Sequence, residues 1–260
     1  LSGIAGRTAV VTGGTSGLGE AIARRFVAAA ARVAIVGRDA ERGERVASEI
    51  SAAGECAYVG ADIGSEDCGE RIRAGVAAAG FGSAEILVNN AGNFAFEPTL
   101  EVTPAGFREA VDVNLRGPLL VTQALLPGMA AARFGRVVFI SSMAASFGVA
   151  MTAMYSATKA AQKGLAYALV PEFGSAGITF NTIEPGVIST PMTVEILGTE
   201  ELRRPFLPHH PNGRVGVPAD VAHAALMFAD EDAGHLNGQS IVLDGGNTRT
   251  AKHSALPPPP

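Results

Sequence analysis

A tyrosine and a lysine stand four residues apart in Tyr155-Ser-Ala-Thr-Lys159, one helical turn, so their side chains share a face. An ammonium beside a phenol favours the phenolate and lowers the tyrosine pKa, whose ordinary value of about 10 suits proton transfer near neutral pH poorly. Such a pair can act as acid or base toward an oxygen. Reducing a carbonyl needs that proton at oxygen and a hydride at carbon, and the hydride must come from a cofactor. A second stretch speaks to this: TGGTSGLG, from Thr12 to Gly19, follows the apolar run TAVV and precedes a helical pattern. A glycine-rich turn there exposes backbone N–H groups beside the positive end of a helix, which suits a pyrophosphate. Its spacing is TGxxxGxG and not GxGxxG, so on these residues alone a purely structural turn stays open.

Short apolar runs alternate with longer amphipathic ones, the pattern of a parallel sheet buried on both faces. Strands are expected at residues 8–11, 33–36, 56–61, 86–88, 136–141, 178–183 and 240–243, with helices between them. The fold class is α/β: one Rossmann-type, doubly wound, seven-stranded parallel sheet with helices on both faces, filling residues 1–250. Ligands bind such sheets beyond the carboxyl ends of the strands. Residues 190–213, rich in proline and poor in periodicity, are a candidate lid over that edge. The proline run closing residues 251–260 is expected to be disordered.

The second strand ends VAIVGRD, with Arg38 just past its carboxyl end, where an adenosine ribose would lie. An acid before it would bind a free 2′-hydroxyl, but Gly37 is there and Arg38 can pair with a 2′-phosphate. This favours NADP(H) over NAD(H), the other cofactor such a fold takes.

With Asn89-Asn-Ala-Gly92 after the fourth strand, Tyr155-xxx-Lys159 after the fifth, Asp62, Asn114, Ser142, PGVIST and a closing NGQSIVLDGG, the chain resembles the short-chain dehydrogenase/reductase family from about Thr8 to Gly246. The resemblance implies that Gly13, Gly17 and Gly19 shape the cofactor turn, with Thr15, Ser16 and Leu18 among its contacts. It implies that Asp62 meets the adenine with Ile63 beside it, that Asn90, Ala91 and Gly92 support the cofactor, and that Pro185, Gly186, Ile188 and Thr190 border the nicotinamide. Tyr155 becomes the acid/base, Lys159 also a ribose ligand, and Ser142, chosen over Ser141 by the family spacing, the holder of the substrate oxygen. Pro118 has no N–H for the carbonyl of Asn114, which is expected to be left free. In the family the matching carbonyl holds a water that relays protons to the lysine.

Residues flanking this site are mostly apolar. Phe94, Met143, Phe147, Met151 and Met192, with Ser142 and Tyr155, are the expected substrate pocket, and Ile196, Leu197, Phe206 and Leu207 populate the lid. The expected reaction is ketone and secondary alcohol interconversion on a largely apolar substrate. A second reading is a 3-oxoacyl-[acyl-carrier-protein] reductase, but an acidic carrier needs a basic docking patch and only Arg133 and Arg136 are offered. A third class, a non-catalytic NADP-binding sensor, is disfavoured because Asn114, Ser142, Tyr155 and Lys159 are all present. A net charge of -5 leaves no basic face for nucleic acid or an anionic membrane. Cys56 and Cys68, without CxxC spacing, are read as buried free thiols, His209 and His210 as loop residues, and no metal is expected. Without an evident leader or apolar span the protein is expected to be cytoplasmic. The alanine- and glycine-rich helix after Tyr155 permits close contact between copies, and a homotetramer is expected, with a dimer next.

Overall fold

The structure is a computed structural model that describes residues 3–249, so the expectation for residues 251–260 lies outside the described residues. Seven strands run β1 (Thr8–Thr12), β2 (Arg32–Gly37), β3 (Cys56–Gly60), β4 (Ile86–Asn89), β5 (Gly135–Ile140), β6 (Ile178–Pro185) and β7 (Ser240–Leu243). They pair in parallel throughout, in the order β3-β2-β1-β4-β5-β6-β7. Each expected strand is present, with ends displaced by at most two residues. β6 is the extended one, continuing through Glu184 to Pro185.

The helices are α1 (Gly17–Ala28), α2 (Ala40–Ser51), α3 (Cys68–Ala78), α4 (Pro104–Val111), α5 (Gly117–Ala132), α6 (Ala153–Phe173), the short α7 (Val194–Leu197) and α8 (Glu200–Arg203), and α9 (Pro218–Ala229). Their starts carry the expected signals: the Asp39 carboxylate accepts from the N–H of Arg42 at α2, and Thr103 followed by Pro104 caps α4. Because β residues alternate faces, Val11, Ile35 and Val138 pack with Ile22, Phe26 and Phe228 of α1 and α9. Val10, Val36, Val137 and Phe139 pack on the other face with Ile72, Leu125 and Leu169 of α3, α5 and α6. Both faces being dry explains why these strands read as continuous apolar runs.

Successive crossovers run outward from β1 in opposite directions, through β2 to β3 and through β4 to β7. The chain therefore parts between β1 and β4, and a crevice opens beyond their carboxyl ends. Among the described residues, no helix is long and apolar enough to cross a membrane. Cys68 is buried as expected, whereas Cys56 is only partly so; burial still pushes its thiol up to about 11.

Candidate active site

The glycine turn sits at the parting of β1 and β4. Gly13 and Gly17 have positive φ (64° and 56°), a conformation that a side chain resists. A Cβ on Gly19 would stand 2.2 Å from the Gly13 carbonyl oxygen, so only glycine lets α1 begin this close to the strand. The Asn90 side chain donates to the carbonyls of Thr12 (2.9 Å) and Gly13 (3.3 Å), while the Thr12 hydroxyl accepts from the N–H groups of Asn90 and Ala91 (both 3.0 Å). The two loops thus brace each other. A cavity of about 340 Å³ runs from this turn, past Asn90 to Phe94, to Ser142, Tyr155 and Lys159, and is closed by Pro185 to Ile188 and Thr190 to Thr193.

Lys159 is 4% exposed. Its ammonium donates to the carbonyl of Ile140 at the end of β5 (2.8 Å), and the Ser141 hydroxyl returns a bond to the Lys159 carbonyl (2.7 Å). Burial pushes the lysine down to about 8. Tyr155 behaves otherwise than the sequence suggested. Burial pushes its phenol up, and the offsetting downward pull comes from the Ser142 hydroxyl. The lysine nitrogen lies 5.8 Å from the tyrosine ring centre and is directed at Ile140, so desolvation outweighs its attraction for the phenolate. Ser142 itself caps a 3₁₀ turn, accepting from the N–H of Ala144 at 3.2 Å.

Asn114 also departs from expectation. A π-helical turn, Asp112–Arg116, joins α4 to α5, so the helical run is indeed broken ahead of Pro118. The released carbonyl is not free: Gln162, on α6, donates to it through Nε2 at 2.6 Å. The Asn114 side chain clamps Asn93, accepting from its N–H (2.9 Å) and donating to its carbonyl (3.1 Å). Gly92 is squeezed between, since a Cβ there would be 3.0 Å from Asn114 Oδ1 and 3.2 Å from Lys159 Nζ.

Of the residues read from the sequence, Gly13, Ser16, Gly17, Leu18, Asn90, Ala91, Gly92, Phe94, Ser142, Tyr155, Lys159, Pro185, Gly186, Ile188, Thr190 and Met192 line the one cavity. Thr15, Gly19, Arg38, Asp62 and Ile63 do not. Thr15 packs on Gly37, Ile63 is buried against Gly117, and the Asp62 carboxylate accepts from the N–H of Gly64. Met143, Phe147 and Met151 also stay off the cavity wall; Phe147 instead faces the guanidinium of Arg249. Ile196 and Phe206 of residues 190–213 reach the cavity, whereas Leu197 is buried away from it. His210 is buried and donates from Nδ1 to the Phe206 carbonyl. No cluster of three or more His, Cys, Asp or Glu side chains suited to a metal ion forms among the described residues.

A family model described as enoyl-(acyl carrier protein) reductase matches residues 13–248. The chain belongs to the short-chain dehydrogenase/reductase family. It is 37% identical over 247 residues to the (2S)-[(R)-hydroxy(phenyl)methyl]succinyl-CoA dehydrogenase subunit BbsD of Thauera aromatica, covering 95% of this chain and 98% of that protein. It is 34% identical to the 3-oxoacyl-[acyl-carrier-protein] reductase MabA of Mycobacterium tuberculosis, covering 92% of each. The crystal structure of a 3-oxoacyl (acyl-carrier-protein) reductase from Agrobacterium tumefaciens C58 with NADP bound superposes with a TM-score of 0.88 at 29% identity, over 94% of this chain and 95% of that one. This short-chain dehydrogenase/reductase is therefore an NAD(P)-dependent oxidoreductase. Its own residues fit that cofactor: the side-chain-free cradle at Gly13, Gly17 and Gly19 opens onto the start of α1, where Ser16 makes no side-chain cap bond.

Three polar residues escaped the sequence reading. Gln162 and Lys163 follow Lys159 on α6, and Glu184 is the next-to-last residue of the buried strand β6. A charged residue inside the apolar run ITFNTIEP was the signal that could have flagged the last. The pKa of Lys159 carries a measurable consequence. Because burial holds it near 8 in the folded protein against an ordinary 10.5, its contribution to stability is complete above the ordinary value and is lost as pH falls through about 8. In urea unfolding between pH 7 and 10, the stability of the wild type relative to Lys159→Met should rise with pH. A gap that does not change with pH would contradict the buried-ammonium assignment.

Proposed function

We propose that this enzyme interconverts a ketone and a secondary alcohol on a largely apolar, uncharged substrate, with Tyr155 as acid and base and NADP(H) as preferred cofactor. One observation carries the substrate reading: among the described residues lining the cavity Lys159 alone is charged, and the approach to Tyr155 is walled by Phe94, Met192, Ile196 and Phe206. The Phe94 ring meets the Tyr155 ring edge-on, centres 4.9 Å apart, an arrangement aromatic pairs favour. Residues 190–213 act in this reading as the lid that excludes water.

Held in the cleft along Gly13, Gly17, Asn90 and Lys159, a nicotinamide cofactor would supply the hydride for the carbonyl carbon. The Ser142 hydroxyl holds the substrate oxygen beside the phenol, and Tyr155 donates its proton there. Burial keeps the phenol protonated at neutral pH, the state reduction needs. In the oxidative direction Tyr155 must take a proton, and the charged form of Lys159 then favours the phenolate.

Cofactor preference rests on the end of β2. A Cβ at Gly37 would lie 2.7 Å from Thr15, leaving no room for a carboxylate that would grip a ribose 2′-hydroxyl. Arg38 is exposed, and the acid beside it, Asp39, is already engaged by Arg42. A 2′-phosphate is the partner this arrangement leaves for Arg38.

The second reading, reduction of a 3-oxoacyl group on acyl carrier protein, draws on the relatives named for that activity. The two arginines considered for carrier docking speak against it. Arg136 is 3% exposed and donates to the carbonyls of Asp230 and Glu231, and Arg133 donates to that of Ser175. A homotetramer is part of our reading, supported by the exposed small-residue face of α6 at Ala157, Gly164 and Ala168 and by exposed Phe107 and Tyr167. Two free thiols suit the reducing cytoplasm.

An absorbance assay at the nicotinamide band, with NADPH and NADH against a panel of ketones, tests the activity. Tyr155→Phe should lower kcat by about 10²- to 10⁴-fold while NADPH still binds, measured by fluorescence titration; intact turnover would end the acid/base assignment. Arg38→Asp should move the ratio of kcat/KM toward NADH by about tenfold or more, and an unmoved ratio would remove Arg38 from cofactor choice. Light scattering should return four times the chain mass, and a monomer would exclude the assembly.

A further inference from the structure

Four polar side chains gather just behind the cavity, and the chemistry described above uses none of them. Glu184 is 1% exposed at the end of β6, directly before the cavity-lining Pro185 and Gly186. Its Oε1 accepts from the Lys163 ammonium at 2.9 Å and from the Ser240 hydroxyl of β7. The same ammonium donates to the Ser146 hydroxyl at 2.6 Å. Ser146 closes the 3₁₀ turn that Ser142 opens, its N–H donating to the Met143 carbonyl at 3.0 Å.

A carboxylate this buried is costly unless it is paired and hydrogen-bonded. Here the partners prevail over burial and hold it below its usual range. A buried pair is weak evidence for stability as such, since apolar residues of similar volume often serve as well. What the pair adds is geometry. Lys163 lies one turn beyond Lys159 on α6, so a single ammonium joins the helix of Tyr155, the turn of Ser142 and the strand end that forms the cavity wall.

We propose that Lys163, anchored by Glu184, is a positioning residue: through Ser146 it holds the turn of Ser142 against α6 and fixes the Ser142 hydroxyl relative to the Tyr155 phenol. The proposal rests on the reading of Ser142 and Tyr155 as the groups that meet the substrate oxygen. Neither Lys163 nor Glu184 touches the reacting atoms. Displacements of about 1 Å at reacting groups cost on the order of 10²-fold in rate, so a tether of this kind is worth keeping even where it adds no stability.

The test is a double-mutant cycle in kcat with Ser142→Ala. Ser146→Ala cuts the link to the turn and leaves the Lys163–Glu184 pair in place, so folding is preserved. It should lower kcat by about 5- to 20-fold with the NADPH dissociation constant and the melting temperature little changed. Lys163→Met combined with Glu184→Gln removes both charges together and should lower kcat at least as much. In the Ser142→Ala background both changes should cost nothing further, because the group they position is gone. Losses that multiply with that of Ser142→Ala, or a Ser146→Ala enzyme with unchanged kcat, would overturn the proposal while leaving the acid/base reading standing. A Ser142→Ala enzyme with full turnover would overturn both.

Discussion

A buried ammonium needs a partner, and in this protein that requirement ties the sheet to α6. Lys159 is held by the last carbonyl of β5, and the next residue, Ser141, returns a hydrogen bond to the lysine's own carbonyl. The two bonds join strand and helix end to end. Desolvation nevertheless pushes the lysine down to about 8, so its charge is conditional on pH. The phenol one turn earlier is raised by the same dryness. Burial thus separates two pKa values that are ordinarily close, raising the phenol above its usual 10 and lowering the ammonium from 10.5 to about 8, so that the lysine releases its proton first as pH rises.

The helix that carries both groups has one buried stripe with two characters. It reads Lys159, Gln162, Ala166 and Leu169 along its inward face, at helical spacing. The first half passes the crevice and is polar, meeting the Ile140 and Asn114 carbonyls. The second half passes the core and is apolar, packed with Phe180 and Met129 among its cluster. The π-helical turn between α4 and α5 serves the same corridor. Pro118, which has no N–H, leaves the Asn114 carbonyl in this turn without its i+4 donor, and Gln162 takes it. Asn114 then has its side chain available to hold Asn93, and through it the loop leading to Phe94.

The crevice itself is a product of topology. Strand order reverses beside β1, and the loops leaving β1 and β4 must brace each other because no further strand fills the gap between their ends. Thr12 and Asn90 make that brace. The glycines supply the close approach that side chains would forbid. The glycine turn and the Ser142, Tyr155 and Lys159 side chains therefore share one cavity for a mechanical reason: all hang from the same sheet edge.

The sequence by itself determined the seven strands, their parallel sense and the edge at which the cavity opens, because apolar runs, turn glycines and helix caps are local properties. It also singled out Ser142, Tyr155 and Lys159, and the structure brings all three to one cavity, since motif spacing survives in one dimension. Tertiary structure alone decided how these groups are charged and what else holds them. The rise of Tyr155 follows from burial that no spacing encodes, and the partner of the Asn114 carbonyl comes from forty-eight residues away. Glu184 meets Lys163 across β6 and α6, and Met143, Phe147 and Met151, near the serine in sequence, turn away from the cavity. Burial and hydrogen-bond partnership are set by which elements pack together, and that is information no short stretch of chain contains.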